Sequence, residues 1–447
     1  MIDQAIEHYH RLVEQEIAAA PEWAIEFEQS QIQSQLSFGG RPLTQALRPH
    51  FISLALNRSI REVCTVLRSC VIKVKQAIEQ IPGFVHQLGL SSGELALAQI
   101  DPGYHRYAVS ARFDGFMEGD TLRLIELNAE SPAGVAYADL LARAYLETPP
   151  MARFQETYQV IPPHGRDALL RSLLETYYDW GGSGLPRIAI VDWEGLPTAT
   201  EFELFRDYFA THGLAAVVAD PRQLELGARG LSYRGAAIDL VYRRVATNEL
   251  LLRLDECRAL IDAYRQGRIC LVNSFRAKYV HKKALFAILT DYAHAHLFEA
   301  SERAVIDRHI PWTRRVATMR TLYRGHSVDL PDFILRRREQ FVLKPNDDYG
   351  GRGIVIGAVV DDAEWERRVG VALDDFWVVQ ERVSGALVRF PIWDQSLRFQ
   401  DYLIDLDPFL FSGEVGGCLA RLAVGPTTNV SAGGGLVPTF LLRARSR

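Results

Sequence analysis

The chain has 447 residues, 48% of them hydrophobic and 23% charged, with a formal net charge of −5. That length predicts two or three structural units, each with an apolar core of useful size. A small negative charge spread along the chain excludes a general nucleic-acid or membrane-surface binder, and the one short basic run, Arg336-Arg337-Arg338, reads as a solvated face.

The five cysteines, Cys64, Cys70, Cys257, Cys270 and Cys418, form no CxxC pair and no metal spacing. An odd, scattered set implies reduced thiols, so a cytoplasmic location is expected. The first residues, "MIDQAIEHYHRLVEQEI", are amphipathic and acid-bearing, unlike a signal peptide. No apolar run has the length of a bilayer span.

In chain order, Ile2, Ile6, Tyr9, Val13 and Ile17 fall at helical spacing over residues 2–18. A longer helix is predicted over 55–80. "GGRPLTQALRPHF", from Gly39, reads as an irregular connector whose two arginines either touch a ligand or serve structure. From about 105 to 128 the pattern alternates, giving two strands joined at "MEGD". A helix follows from near Ala136.

Beyond Pro186 the texture changes. "RIAIVDW" reads as a buried strand, "TATEFELFRDYFATHG" as a helix with a threonine cap and Gly213 as its stop, and "LAAVVAD" as the next strand. "YRGAAIDLVYRR" reads as a hairpin-like pair. Strand, helix, strand in that order predicts a small parallel sheet of Rossmann-like type, without the GxGxxG of a dinucleotide site. Another helix is expected near His281, then strands at 340–344 and 353–358, an apolar strand in "DFWVVQERV", and an arginine-bearing strand before a glycine-rich loop in the tail. There is no internal repeat and no low-complexity tract.

Two stretches carry chemistry. In "FVLKPNDDYGGRGIVIG", Phe341 to Gly357, a lysine ends an apolar strand and a glycine turn precedes the next. A Walker A loop places its glycines before the lysine, so this is a different device. The turn Tyr349-Gly350-Gly351-Arg352-Gly353 can fold backbone N–H groups over anionic oxygens, with Lys344 as a point charge beside it. A plain hairpin with a glycine turn is the alternative. In "LIELNAESPAG", Glu126 and Asn128 stand two apart on a strand and so share a face. A carboxylate and an amide oxygen together suit Mg²⁺. The alternative, a half-exposed strand with its polar residues in water, is weakened by apolar residues on both faces, Leu124, Ile125 and Leu127.

Together these stretches resemble the ATP-grasp ligases, which pair a lysine-bearing strand and glycine-rich flap with a Glu-x-Asn magnesium strand. The order here is inverted, since Glu-x-Asn precedes the flap. The chain is therefore similar to the circularly permuted ATP-grasp enzymes, eukaryotic-type glutathione synthetase and, more distantly, glutathionylspermidine synthetase. The resemblance implies an α/β fold with α+β elements: a permuted ATP-grasp with an inserted Rossmann-like parallel-sheet domain. Its parts are an N-terminal helical region (1–104), a core part with the magnesium strand (105–184), a substrate domain (185–276), a nucleotide-binding lid (277–384) and a return to the core with a closing loop (385–447).

The resemblance also implies roles. Arg112 in "ARFDGF", Ser131 in "ESPAG", and Arg243 or Arg244 in "DLVYRR" would meet substrate. Lys283, with Lys282 second, would contact ATP from "HKKALF". Lys344 would hold phosphate, with Asn346, Gly350, Gly351 and Gly353 beside the nucleotide, and Asp348 would complete the metal site of Glu126 and Asn128. Gln380 and Glu381 in "VVQERV" would lie by the adenine. Arg421 in "LARLAVGPTTNVSAGGG" would face the reaction from the last strand, ahead of a mobile Ala/Gly loop. Two departures stand out: Leu422 and Ala423 occupy positions where a lysine is expected, and the residues that would read a γ-glutamyl-cysteine substrate are not plainly present.

The expected function is ATP- and Mg²⁺-dependent ligation of a small-molecule carboxylate to an amine such as an amino acid, peptide or polyamine, through an acyl phosphate. A nucleotide sensor without turnover and a small-molecule kinase are the alternatives. No nucleic acid or membrane partner is implied, and related synthetases are often dimers, which makes a homodimer an expectation.

Overall fold

The computed structural model of the protein describes residues 2–38, 40–348, 350–425 and 435–445. The Ile2–Ala19 helix buries Tyr9 and Val13 completely and packs Ile2, Ile6 and Ile17 against the same core. In the Leu54–Gln80 helix, the Ser53 hydroxyl accepts the Leu56 N–H as a cap, and Ile60, Val63, Cys64, Leu67, Cys70 and Val74 form the buried stripe. The five cysteines are all buried and unpaired. Among the described residues, no helix is long and apolar enough to cross a membrane.

The largest sheet runs, in spatial order, His50–Ser53, Gly435–Ala444, Glu414–Ala423, Leu397–Phe411, Ser110–Glu118 and Thr121–Asn128. Ala386–Trp393 also pairs with Leu397–Phe411, and Tyr158–Ile161 with Gly435–Ala444. Alternation along Leu397–Phe411 feeds two cores: Phe409 and Phe411 join the one that includes Tyr9 and Val13, whereas Leu406 and Leu410 join the one that includes the stripe of the Leu54–Gln80 helix. This core sheet gathers strands from both ends of the chain.

A second sheet is wholly parallel, in the order Cys270–Val272, Leu240–Arg243, Ile188–Val191, Ala216–Ala219. Its strands are short apolar runs, as a sheet covered on both faces requires. A third, antiparallel sheet holds Thr313–Arg315, Trp377–Glu381, Phe341–Pro345 and Val355–Ile356, and packs around Trp365 of the Asp362–Asp374 helix.

Local expectations are corrected at four places. Thr198 makes no side-chain capping bond, and its backbone is already helical; the Ala199–Thr211 helix carries Glu201 in its first turn instead. In "YRGAAIDLVYRR", Gly230–Tyr233 and Ala236–Ala237 form the hairpin, but Leu240–Arg243 leaves it for the parallel sheet. The helix expected at His281 is split into Lys278–His281 and Ala284–Thr290, with Lys282 extended between them. The N-terminal hundred residues also give the core sheet a strand, His50–Ser53, parallel to Gly435–Ala444.

Asn273, fully buried where the parallel sheet meets the core sheet, joins the two. Its Oδ1 accepts the Val109 and Ser110 N–H groups, and its Nδ2 lies within hydrogen-bond distance of the Ser110, Ala129 and Glu130 carbonyls. Removing a side chain with this many buried partners leaves several backbone groups unsatisfied. Asn273→Ala should lower unfolding free energy by about 3 kcal/mol or more in denaturant titration; a change under about 1 kcal/mol would contradict that role.

Candidate active site

Strand register builds the first half of the site. Arg112 pairs with Asn128 and Asp114 with Glu126 across the hairpin, so four polar side chains share one face while Phe113 and Leu127 share the other. Asn128 Nδ2 donates to Glu126 Oε1 at 3.1 Å.

The third, antiparallel sheet brings the second half. Lys344 is 4% exposed. Its Nζ donates to the Ile125 carbonyl at 3.2 Å and to Gln380 Oε1 at 2.7 Å. Lys283 Nζ donates to the Asp348 carbonyl at 2.6 Å and lies 3.5 Å from Glu126 Oε2. Burial pushes the Lys344 ammonium down to about 8, with Lys283 adding to the shift and Glu126 opposing it. Burial works to raise Glu126, but Lys283, Lys344 and the Asn128 amide outweigh it and hold the carboxyl below its usual range. After Lys344, Gly350, Gly351 and Gly353 all have positive φ, and a Cβ on Gly353 would meet Pro345 Cγ at 2.7 Å.

Beside this face lies an arginine–aspartate cluster. Arg112 Nε and Nη2 donate to Asp114 at 2.7 and 2.9 Å, and Nη1 to the Ala133 carbonyl at 2.7 Å. Arg421 Nη2 lies 2.8 Å from Asp114 Oδ2 and 2.7 Å from Asp405 Oδ2. Its Nε is 2.9 Å from Asp407 Oδ2, close in distance but not aligned as a hydrogen bond. Burial, with Asp114 and Asp405 nearby, pushes the Asp407 carboxyl well up against the pull of Arg421. Burial also works to raise Asp114, yet its two arginines hold it well below the usual carboxylate range.

A third group lies behind the loop after Asn128. Lys278 Nζ is 2.8 Å from Glu130 Oε2 and 2.6 Å from Asp347 Oδ1. Lys282 Nζ donates to both oxygens of Glu94 at 2.9 Å and to Asp347 Oδ2 at 2.8 Å. Glu130, His281 and Asp347 offer donor atoms within 4.8 Å of one another, the spacing of a metal centre, but the Lys278 ammonium already stands between the two carboxylates.

The sequence-derived residues therefore separate. Glu126, Asn128, Lys283, Lys344 and Gln380 come together, with the Asp348 carbonyl and the Arg112–Arg421 pair alongside. Lys282 joins Glu94 and Asp347 instead. Arg243 is fully buried, donating to the carbonyls of Asn273 and Val245 and to Glu130. Arg244 donates to the Pro132 carbonyl and the Tyr242 hydroxyl, and its Nε is unpartnered. Ser131 is half-buried on the same loop. Glu381 points to the opposite sheet face from Gln380 and accepts from Tyr323 and Arg324. The Asn346 side chain is committed to the Ala284 N–H and the Leu88 carbonyl. The Ala/Gly loop assigned to the tail falls mostly on residues 426–434, outside the described residues.

Sequence reasoning missed Asp114, Asp405, Asp407, Glu130, Lys278 and Asp347. The acids had a signal: two carboxylates two apart in the apolar run "LIDLDPFLF", and an aspartate two after Arg112. Lys278 had none. Asp192, at the carboxyl end of Ile188–Val191, was also missed; burial pushes its carboxyl up to about 6.

No protein-family model matches the chain. A Frankia casuarinae protein provisionally named glutamate–cysteine ligase 2-2 is 24% identical over 339 residues, covering 72% of this chain and 37% of that protein. An uncharacterized Synechocystis protein is 22% identical over 346 residues, 72% of this chain and 66% of its own length. The chain thus spans about a third of the first relative and about two thirds of the second. Among solved structures, a glutathione synthetase-like effector of Globodera pallida, in its apo form, superposes with a TM-score of 0.60 at 10% identity, over 94% of this chain and 96% of that one. The fold is of the glutathione synthetase-like type.

Asp192 supplies a test of the electrostatics. Burial lifts its folded pKa to about 6 from the usual 3.8, so the folded state binds more protons between those values and stability falls as pH rises through that window. Asp192→Asn should raise stability by about 1–3 kcal/mol at pH 7.5 and by much less at pH 4.5. A pH-independent effect in paired denaturation curves would contradict this.

Proposed function

We propose that the protein is an ATP-dependent carboxylate–amine ligase that carries the ATP-grasp motifs in permuted order. One observation supports this above all: the ammonium of Lys344 reaches the carbonyl of Ile125, beside Glu126, across 219 positions of sequence. Two separate motifs, one suited to phosphate and one to a divalent cation, meet at a single buried place. The names of partial relatives are secondary support, since each describes a protein longer than this chain.

On this reading, Glu126, Asn128 and Asp348 hold magnesium. The donor set fits it: a half-buried carboxylate and an amide share one strand face, the oxygen donors that Mg²⁺ takes. The ion supplies charge neutralisation on the triphosphate. Lys344 and Lys283 bring positive charge to the phosphate side, and the glycine turn offers N–H groups to the same oxygens. The substrate carboxylate attacks the γ-phosphorus, giving an acyl phosphate and ADP. The amine then attacks the acyl carbon, and phosphate leaves while the ammonium proton passes to solvent or a nearby base. Arg112 and Arg421 lie on the face where the acyl group would sit. Their internal aspartates fix the guanidinium planes, so only outward N–H bonds remain for a ligand. Exclusion of water protects the acyl phosphate from hydrolysis.

Coupled ADP-release assays with pairs of amino acids, dipeptides and polyamines test the reading. A substrate-dependent signal with an amide product by mass spectrometry supports it; release of a phosphorylated acid alone points to a kinase. Lys344→Ala should weaken Mg-ATP binding at least tenfold by calorimetry. Glu126→Gln should retain the fold and lose about 10²–10³-fold in rate, which corresponds to about 3–4 kcal/mol of transition-state stabilisation. Wild-type turnover in that variant would remove Glu126 from the metal assignment.

A further inference from the structure

Lys278 lies outside the phosphate face, yet it touches both segments that frame it. Its side chain is 1% exposed. Nζ lies 2.8 Å from Glu130 Oε2 and within 2.6 and 2.8 Å of the two Asp347 oxygens. Glu130 adjoins Ser131 and stands two residues after Asn128, while Asp347 adjoins Asp348 at the root of the glycine turn. One ammonium therefore spans the loop after the Glu-x-Asn strand and the root of the flap.

The surroundings are balanced in charge. Glu94, Glu130 and Asp347 face Lys278, Lys282 and Arg243. Glu130 is further held by the Thr247 backbone N–H at 3.2 Å and by the Thr247 hydroxyl. His281 Nδ1 accepts the Ala129 N–H, and burial beside Lys278 holds the ring neutral, with its pKa lowered to about 4. A buried ionic network of this kind is a weak source of net stability, because desolvation offsets the attraction. What it supplies is geometry: each charge has its partners at fixed separation, and the two ends of the tie lie one residue from groups assigned to substrate and metal.

We propose that Lys278 is a positioning residue, setting the loop that carries Asn128 and Ser131 in register with the flap root that carries Asp348, without touching a ligand itself. The meaning of the two segments rests on the ligase reading; the mechanical tie between them does not.

A double-mutant cycle on the full chain, without nucleotide, reads the tie. The readout is trypsin cleavage after Arg352, an exposed residue within the Gly350–Gly353 turn. Asp347→Asn should accelerate that cleavage several-fold. Glu130→Gln, at the far end of the tie from Asp347, should accelerate it to a similar extent. The double variant should be no faster than Lys278→Met, and Lys278→Arg should restore most of the protection. Thermal melts identify any variant that fails to fold, and for those the milder pair Asp347→Glu and Glu130→Asp carries the cycle. Wild-type cleavage in Glu130→Gln, or effects that multiply independently in the double variant, overturns the proposal. A second readout uses turnover: Lys278→Met should lower kcat at least tenfold and Lys278→Arg should recover most of it. If the wild-type chain releases no ADP, the ligase reading fails, while the proteolysis cycle still decides the tie.

Discussion

The Lys344 ammonium is held between the Ile125 carbonyl and the Gln380 side chain, almost out of reach of water. An isolated charge in that position is costly, so its surroundings must answer it. Glu126 answers from the core sheet, and Lys283 links Glu126 to the flap root through the Asp348 carbonyl. The same demand repeats next door, where three aspartates surround two arginines, and again behind the loop, where three acids meet three bases. Much of the protein's middle is a set of buried charges that match only when the core sheet, the parallel sheet and the third, antiparallel sheet occupy their native relation.

That arrangement divides stability from function. The apolar cores on both faces of the core sheet, around Phe409 and Phe411 on one side and Leu406 and Leu410 on the other, supply the folding free energy. The charged clusters contribute less to stability than to specificity of arrangement. They leave a face with both guanidinium groups oriented by carboxylates, so each presents a fixed fork to whatever arrives. Leu422 and Ala423, where a lysine was expected, sharpen this: beyond Arg421 that strand brings no further cation, and the cations beside Glu126 are Lys283 and Lys344.

What could be read from sequence follows the range of the forces involved. The Ser110–Glu118 and Thr121–Asn128 hairpin was legible because strand alternation is local, and with it the shared face of Glu126 and Asn128. The Leu54–Gln80 helix and the strands of the parallel sheet were legible for the same reason. Thr198 looked like a cap by residue type, but the backbone there is helical and its hydroxyl makes no capping bond. Lys282 and Lys283 were adjacent and chemically identical; only the extended backbone at Lys282 sends one to Glu94 and Asp347 and the other to Glu126. Lys278 was invisible, because its partners Glu130 and Asp347 lie 148 and 69 positions away and no periodicity encodes such a meeting.

The central claim is that the Glu126 strand and the Lys344 strand grip one triphosphate between them. A crystal structure with a non-hydrolysable ATP analogue and magnesium tests it most directly. The account predicts the ion on Glu126 and Asn128 and a phosphate oxygen within hydrogen-bond distance of Lys344 Nζ. A nucleotide bound elsewhere, with Lys344 still turned onto Ile125 and Gln380, would contradict it.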